Sequence, residues 1–297
     1  VFGATITSYR GHRSRYQEHL RRGITADRVE SHELARNGTE SDPGHRTVTG
    51  ASTRCTLLSS IRISRAFWHK LFTTAPPRLR WAFKVPEEIT VKQWPGHARY
   101  GARAGLENEN FLNAELFRRL FLDALQPYKS RVSVLILEFG TLPKKSIPSL
   151  DAFVTVLDRF LSELPEDWRY SVEIRNPEFL QSDYFDCLRT YNTAHVFNAW
   201  TRMPELNRQI AIEEAYTADF TVTRALLKYG RAYEQAVKTF EPYKSVKEEN
   251  PAARAALRAI LDRAKRLQQP SFLFVNNRLE GNAPETIDAV TSDPNLW

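Results

Sequence analysis

Six short apolar segments, separated by stretches with helical periodicity, set the narrowest limit on what this chain can fold into. They are "RWAFKVP" (80–86), "SVLILEFG" (133–140), "RYSVEIRN" (169–176), "HVFNAW" (195–200), "DFTVTRAL" (219–226) and "SFLFVNN" (271–277). Each has strand length and is rich in β-branched or aromatic residues. Most are near-continuously apolar, as strands covered on both faces of a parallel sheet must be. Between them, Glu109 to Gln126 places Phe111, Leu112, Leu116, Leu120 and Phe121 at three- and four-residue steps before Pro127. Ser149 is placed to cap a helix with a core stripe of Phe153, Val154, Leu157 and Leu161, and Ser182 to cap one running through Phe185 and Leu188. Asn250 and Pro251 open a helix that should bury Ala253, Leu257, Ile260, Ala264 and Leu267. Such alternation implies right-handed βαβ units.

An open doubly wound sheet and a closed barrel both satisfy that rule. The strand ends separate them. Nearly every strand finishes with polar side chains: Lys84, Glu138, Glu173 with Arg175, Asn198, Arg224, and Asn276 with Asn277. Polar groups from successive strands converge when the strands form a ring, as at the C-terminal face of a β/α-barrel. The expectation is a TIM-type (β/α) barrel. It is incomplete as read, because two of its strands would have to come from the first quarter of the chain.

That first quarter has a different composition. Residues 1–77 are read as a poorly patterned segment and residues 78–297 as the barrel domain. From Tyr9 to Thr56 only eight of 48 residues are Val, Ile, Leu, Met, Phe, Trp, Tyr or Cys. They show neither a strand nor a helix period, and they bury too little to offset ordering entropy. Residues 1–72 carry 12 Lys and Arg against 6 Asp and Glu, a net of +6, while residues 73–297 carry 30 against 29, a net of +1. The basic total of +7 therefore argues little for a nucleic-acid partner of the barrel. No apolar run reaches the roughly 18 residues of a membrane span, and no apolar leader is seen, so a cytoplasmic protein without a membrane partner is expected. Cys55 and Cys187 are too few for a disulfide framework. Outside the first quarter the only histidines are His97 and His195, too few for a multinuclear metal site, so no metal or cofactor is expected. Lys228 to Asn250, with Tyr229, Tyr233, Phe240 and Tyr243, exceeds an ordinary loop and should form a short helix and a flap over the mouth.

Several stretches, in order, resemble the YecE-like family (domain of unknown function 72). They are "WAFKVPEEIT", "VEIRNPEF", "YEQAVKTFEPYKSVKEENPAARAAL" and "FVNNRLEGNAPETI", and the likeness runs from about Arg80 to Val290. The resemblance implies a TIM-type barrel with the polar strand ends as one site. It implies no reaction, because that family's activity is not established. The family's opening motifs, like Gly-Thr-Ser-Gly-Trp and Glu-Ile-Asn-Ser-Thr-Phe-Tyr, have no counterpart in residues 1–72; "GASTRCTLLSS" (50–60) stands where the second belongs. Two readings account for this: a shifted frame or degenerate gene start, with the family frame resuming near Phe72, or a divergent natural extension.

The candidate site is read from the strand ends. Glu173 and Arg175 are two apart and share a strand face, with Tyr170, Val172 and Ile174 on the other. They suit a general base beside an anion clamp, or a buried bridge that only holds the barrel. Lys84 suits an anion ligand or an amine of lowered pKa, or a lysine with a solvated head. Glu138 suits a second proton-transfer carboxylate, or a partner for Lys84 or Arg175. Arg224 interrupts an apolar strand and needs an anion or a carboxylate. Asn198 suits ligand orientation or loop backbone bonding. Asn276 and Asn277 end the last strand, Gly281 lets the chain turn, and Asn282 caps a closing helix whose N-terminus is expected to favour an anion or to be ordinary capping. Glu173, Lys84 and Glu138 are thus the catalytic candidates; Arg175, Arg224, Asn198, Asn276, Asn277, Gly281 and Asn282 are the ligand-binding ones. The functional expectation is a metal-independent enzyme acting on a small anionic, phosphorylated substrate. The alternatives are a nucleic-acid-binding or phosphodiester-processing protein and a non-catalytic ligand-binding barrel.

Overall fold

Every one of the six apolar segments forms a strand in the computed structural model, which describes residues 2–7 and 51–53 by backbone course and residues 64–292 with side chains. Among the described residues two strands precede them, β1 (Phe2–Thr7) and β2 (Ala51–Thr53). The six are β3 (Trp81–Lys84), β4 (Val132–Glu138), β5 (Tyr170–Glu173), β6 (Ala194–Ala199), β7 (Thr221–Ala225) and β8 (Ser271–Asn276). The sheet order is β2-β1-β8-β7-β6-β5-β4-β3. From β3 to β8 each strand is parallel to its neighbour, and the six curl into a half-barrel.

The TIM-type expectation holds only in coarser form, as a barrel-like α/β fold. β1 runs antiparallel to β8, from Gly3 opposite Asn276 to Thr7 opposite Phe272, and β2 runs antiparallel to β1. A parallel pair in sequence needs a crossover, usually helical, and the chain between β1 and β2 carries no helical period. The expectation of poor order from Tyr9 to Thr56 falls, β2 apart, outside the described residues. The helix Arg65–Thr74 precedes the boundary read at residue 78. Ser64 caps it, and its buried Trp68 and Phe72 pack edge-on against Phe83. Packed chain therefore begins well before Arg78.

Period two sorts the strand residues into layers. Trp81, Phe83, Leu135, Leu137, Tyr170, Val172, Leu273 and Val275 face the helices in one continuous core. Ala82, Val134, Ile136, Ala194, Val196, Phe220, Val222, Phe272 and Phe274 form a separate apolar cluster inside the curl. Several caps stand where the sequence puts them. Ser149 accepts from the Ala152 N–H, Asn250 from Ala253 and Asn282 from Glu285, each such cap contributing about 1 kcal/mol.

Three helix readings need correction. Leu112 takes a left-handed backbone (φ 53°) and its N–H bonds to the Ile89 carbonyl, so helix begins only after Asn113 and runs as Ala114–Phe117, a π-turn Arg118–Leu122 and Asp123–Leu125. Gln181, not Ser182, sits at the N-cap of helix Ser182–Thr190. Leu267, in the last turn of helix Pro251–Leu267, is 50% exposed rather than buried. The long segment after β7 does contain a short helix, Tyr233–Phe240, whose Ala236 and Phe240 pack with Leu226, Leu227, Trp200 and Tyr243. Among the described residues no helix is long and apolar enough to cross a membrane.

Candidate functional site

Two residues beyond each layer of the interior cluster, the strands turn polar. Ala82 is followed on the same face by Lys84, Ile136 by Glu138, Val196 by Asn198, Val222 by Arg224 and Phe274 by Asn276, and on β5 the buried polar Ser171 is followed by Glu173. Because the strands are parallel and in close register, these side chains arrive at one end of the half-barrel. The apolar cluster below them offers no hydrogen-bond partners, so the charged groups must pair with one another.

They do so as an ion network. Glu138 meets Lys84 Nζ at 2.9 Å, Arg175 Nη2 at 3.1 Å and Arg224 Nη1 at 2.5 Å. Glu173, wholly buried, bonds to Arg224 and, at 3.3 Å, to Arg175. The Arg175 guanidinium also lies over the Trp200 ring, 3.8 Å from its centre. Burial alone would raise the Glu138 carboxyl, but Lys84, Arg175 and Arg224 outweigh it and hold the group well below the usual carboxylate range. Arg224 would lose its proton more readily through burial, yet Glu173 and Glu138 bind it tighter. A carboxylate kept ionised by three cations is a poor proton carrier near neutrality. Glu138 thus suits orientation better than the proton transfer expected of it. Each cation already has a carboxylate, so the arginines are not free anion clamps. Their pairing follows from the cost of a lone buried charge.

The closing turn also differs from its anion-binding expectation. Asn276 stands on the interior face, and its Oδ1 accepts from the Arg278 N–H. Asn277 points to the helix side, where its Oδ1 takes the Ala283 N–H at 2.8 Å. Asn282 Oδ1 takes the Glu285 N–H, and the Asn282 carbonyl takes that of Thr286. Pro284 has none to offer. The first turn of helix Ala283–Thr291 is therefore saturated by its own caps, and Asn277, Gly281 and Asn282 belong to the turn rather than to an anion site.

Sequence reasoning missed three participants. Trp200 lies two residues past Asn198 and so shares its face, a signal that period two could have supplied. Gln209 is buried and bonds both backbone groups of Asn198, at 3.1 and 2.7 Å, and nothing in its sequence neighbourhood announces that. Glu280, fully buried in the closing turn, pairs with Arg254 at 2.9 Å, a partner 26 residues away. Lys228 and Arg231, in the segment after β7, both bond to Glu248. Among the described residues no group of three or more His, Cys, Asp or Glu side chains is placed to hold a metal ion. His195 is buried on the helix side against Tyr184, away from the polar layer.

The comparisons with known proteins fall on the same region. The family model described as protein of unknown function DUF72 matches residues 63–295. A DUF72 family protein from Thermotoga maritima MSB8 is similar in structure, with a TM-score of 0.52, 13% identity and 82% of each chain covered. Another, from Enterococcus faecalis V583, has a TM-score of 0.53 and 12% identity, covering 81% of this chain and 83% of its own. At such identity the likeness establishes the fold. No curated protein matches the chain.

Proposed function

The chain belongs to the DUF72 family of proteins of unknown function, and we propose that the mouth of its half-barrel binds a small anionic, phosphorylated molecule as the substrate of a reaction that needs no metal. The observation that carries this reading is the charge of the polar layer. Lys84, Arg175 and Arg224 face Glu138 and Glu173, which leaves one positive charge uncompensated. A partly buried net charge attracts a counter-ion more strongly than a solvated one. Lys84 is the cation to meet it: its side chain is 26% exposed and is tied to a single carboxylate, whereas both arginines bond to two. In this reading Glu138, met by three cations, holds the guanidiniums in place, and Glu173, met by two, is the carboxylate assigned to proton transfer. The site corresponds to the C-terminal face of a TIM-type barrel, where active sites of that fold are built.

The test is a melting curve in phosphate against chloride at matched ionic strength, for the native chain and Lys84→Gln. At phosphate about 100 times its dissociation constant the native chain should gain about 2.7 kcal/mol, and the variant clearly less. Equal melting in the two salts would reduce the layer to a structural ion network.

A further inference from the structure

The seam between β5 and β6 opens where it reaches the polar layer. The two strands are in ladder register at Ser171–Ala194 and Val172–His195, whereas β6 and β7 remain paired up to Ala199–Ala225. Beyond His195, side chains replace the ladder. Nδ2 of Asn198 donates across the gap to the Ile174 carbonyl at 3.0 Å, and Gln209 bonds the Asn198 backbone on both sides. The amide orientation is set, because Nδ2 also faces the Val196 carbonyl at 3.4 Å. Oδ1 is left over. It is buried without a hydrogen-bond partner, on a residue wholly shut from solvent. Asn198 lies on the interior face, opposite Arg224 in the β6–β7 register. At the neighbouring strand end, Nε of Arg175 is also buried and without a partner.

An unmet buried acceptor costs about 1–3 kcal/mol, and an unmet donor similarly. One acceptor and one donor left open beside a net positive charge describe a ligand with complementary groups. We infer that the anion bound at this mouth carries a hydroxyl group. The hydroxyl donates to Oδ1 of Asn198, an oxygen of the ligand accepts from Nε of Arg175, and the charged end meets Lys84. Sugar and polyol phosphates are the class with this chemistry. The inference rests on the anion-site reading above and narrows it from anions in general to hydroxylated ones. Asn198 then determines specificity, since a site that bonds a hydroxyl discriminates against the analogue without it.

Calorimetric titration of the full chain with glycerol 3-phosphate and with propyl phosphate tests this, the two probes being alike in charge and length. The hydroxylated probe should bind at least about tenfold more tightly, and Asn198→Leu should remove most of that ratio. Lys84→Gln should weaken both probes alike. The comparison of probes on the native chain decides the matter even where Asn198→Leu fails to fold. Equal affinities would overturn the hydroxyl inference and leave the anion site standing. Absence of binding by both probes and by inorganic phosphate would overturn the two together.

Discussion

Gly281 shows how much one residue position can demand. Its φ is +121°, a conformation that L side chains rarely adopt, and a Cβ there would stand 2.6 Å from the Ser245 carbonyl oxygen and 2.9 Å from the Lys247 nitrogen. Neither neighbour is a flexible side-chain tip, so Gly281→Ala should destabilise the fold by about 3 kcal/mol or more, measured as a lower urea midpoint. His195 makes a different demand. Burial lowers its pKa to about 3, so the imidazole is neutral in the native state. The unfolded chain takes up a proton first, near the ordinary value of 6.5, and stability falls as the pH drops from there toward about 3. His195→Gln, which keeps a polar group for Tyr184, should flatten that limb by up to about 1.4 kcal/mol per pH unit. Denaturant midpoints of both proteins between pH 7 and pH 4 check this; parallel curves would mean that His195 titrates normally.

At the scale of elements, the closing turn is a fastening point. The Glu280 carboxylate accepts from the Asn250 N–H at 2.5 Å, from Arg254 at 2.9–3.1 Å and from the Thr286 hydroxyl at 2.7 Å. Its backbone oxygen accepts from Lys247 and Glu248. One residue thus joins the end of β8 to the first turns of helices Pro251–Leu267 and Ala283–Thr291 and to the segment leading into the former. Glu280→Gln leaves Arg254 with only the exposed Glu249 carboxylate, at 3.2 Å, and should cost about 3 kcal/mol. Faster amide exchange should appear first in residues 244–250, which would lose the clamp before the strands loosen. Unchanged exchange there would show that backbone bonds alone hold the segment.

On the scale of the molecule, an apolar cluster supports a charged layer, and acid should act on the second before the first. The folded pKa of Glu138 is depressed by its cations, so its contribution to stability is complete above the ordinary carboxylate value of 4.5 and is lost as the pH falls below it. Glu138→Gln should therefore be less stable than the native chain at pH 7 and show a shallower loss below about pH 4.5. Circular dichroism melting across that range measures both. An equally steep acid limb in the variant would assign the loss to other carboxylates.

Strand positions, most caps and the facing of Glu173 and Arg175 were legible in the chain because they follow local rules. Backbone period two places Lys84 with Ala82 and Glu173 with Arg175 whatever the fold, and an Asn-Pro pair starts a helix from its own chemistry. The same periodicity marks the polar strand ends as one group from the amino-acid order alone. What local rules leave open is pairing across the chain. Which carboxylate takes Arg224, whether Asn276 or Asn277 turns inward, and where the β5–β6 ladder gives way all depend on distances between residues far apart in sequence. The two antiparallel strands at the β8 edge likewise arise from tertiary pairing along an open edge, which no residue of β1 or β2 announces by itself. The charge of each group at the mouth could be read from the sequence. Its partner, and hence its freedom to bind anything else, was decided only when the sheet curled.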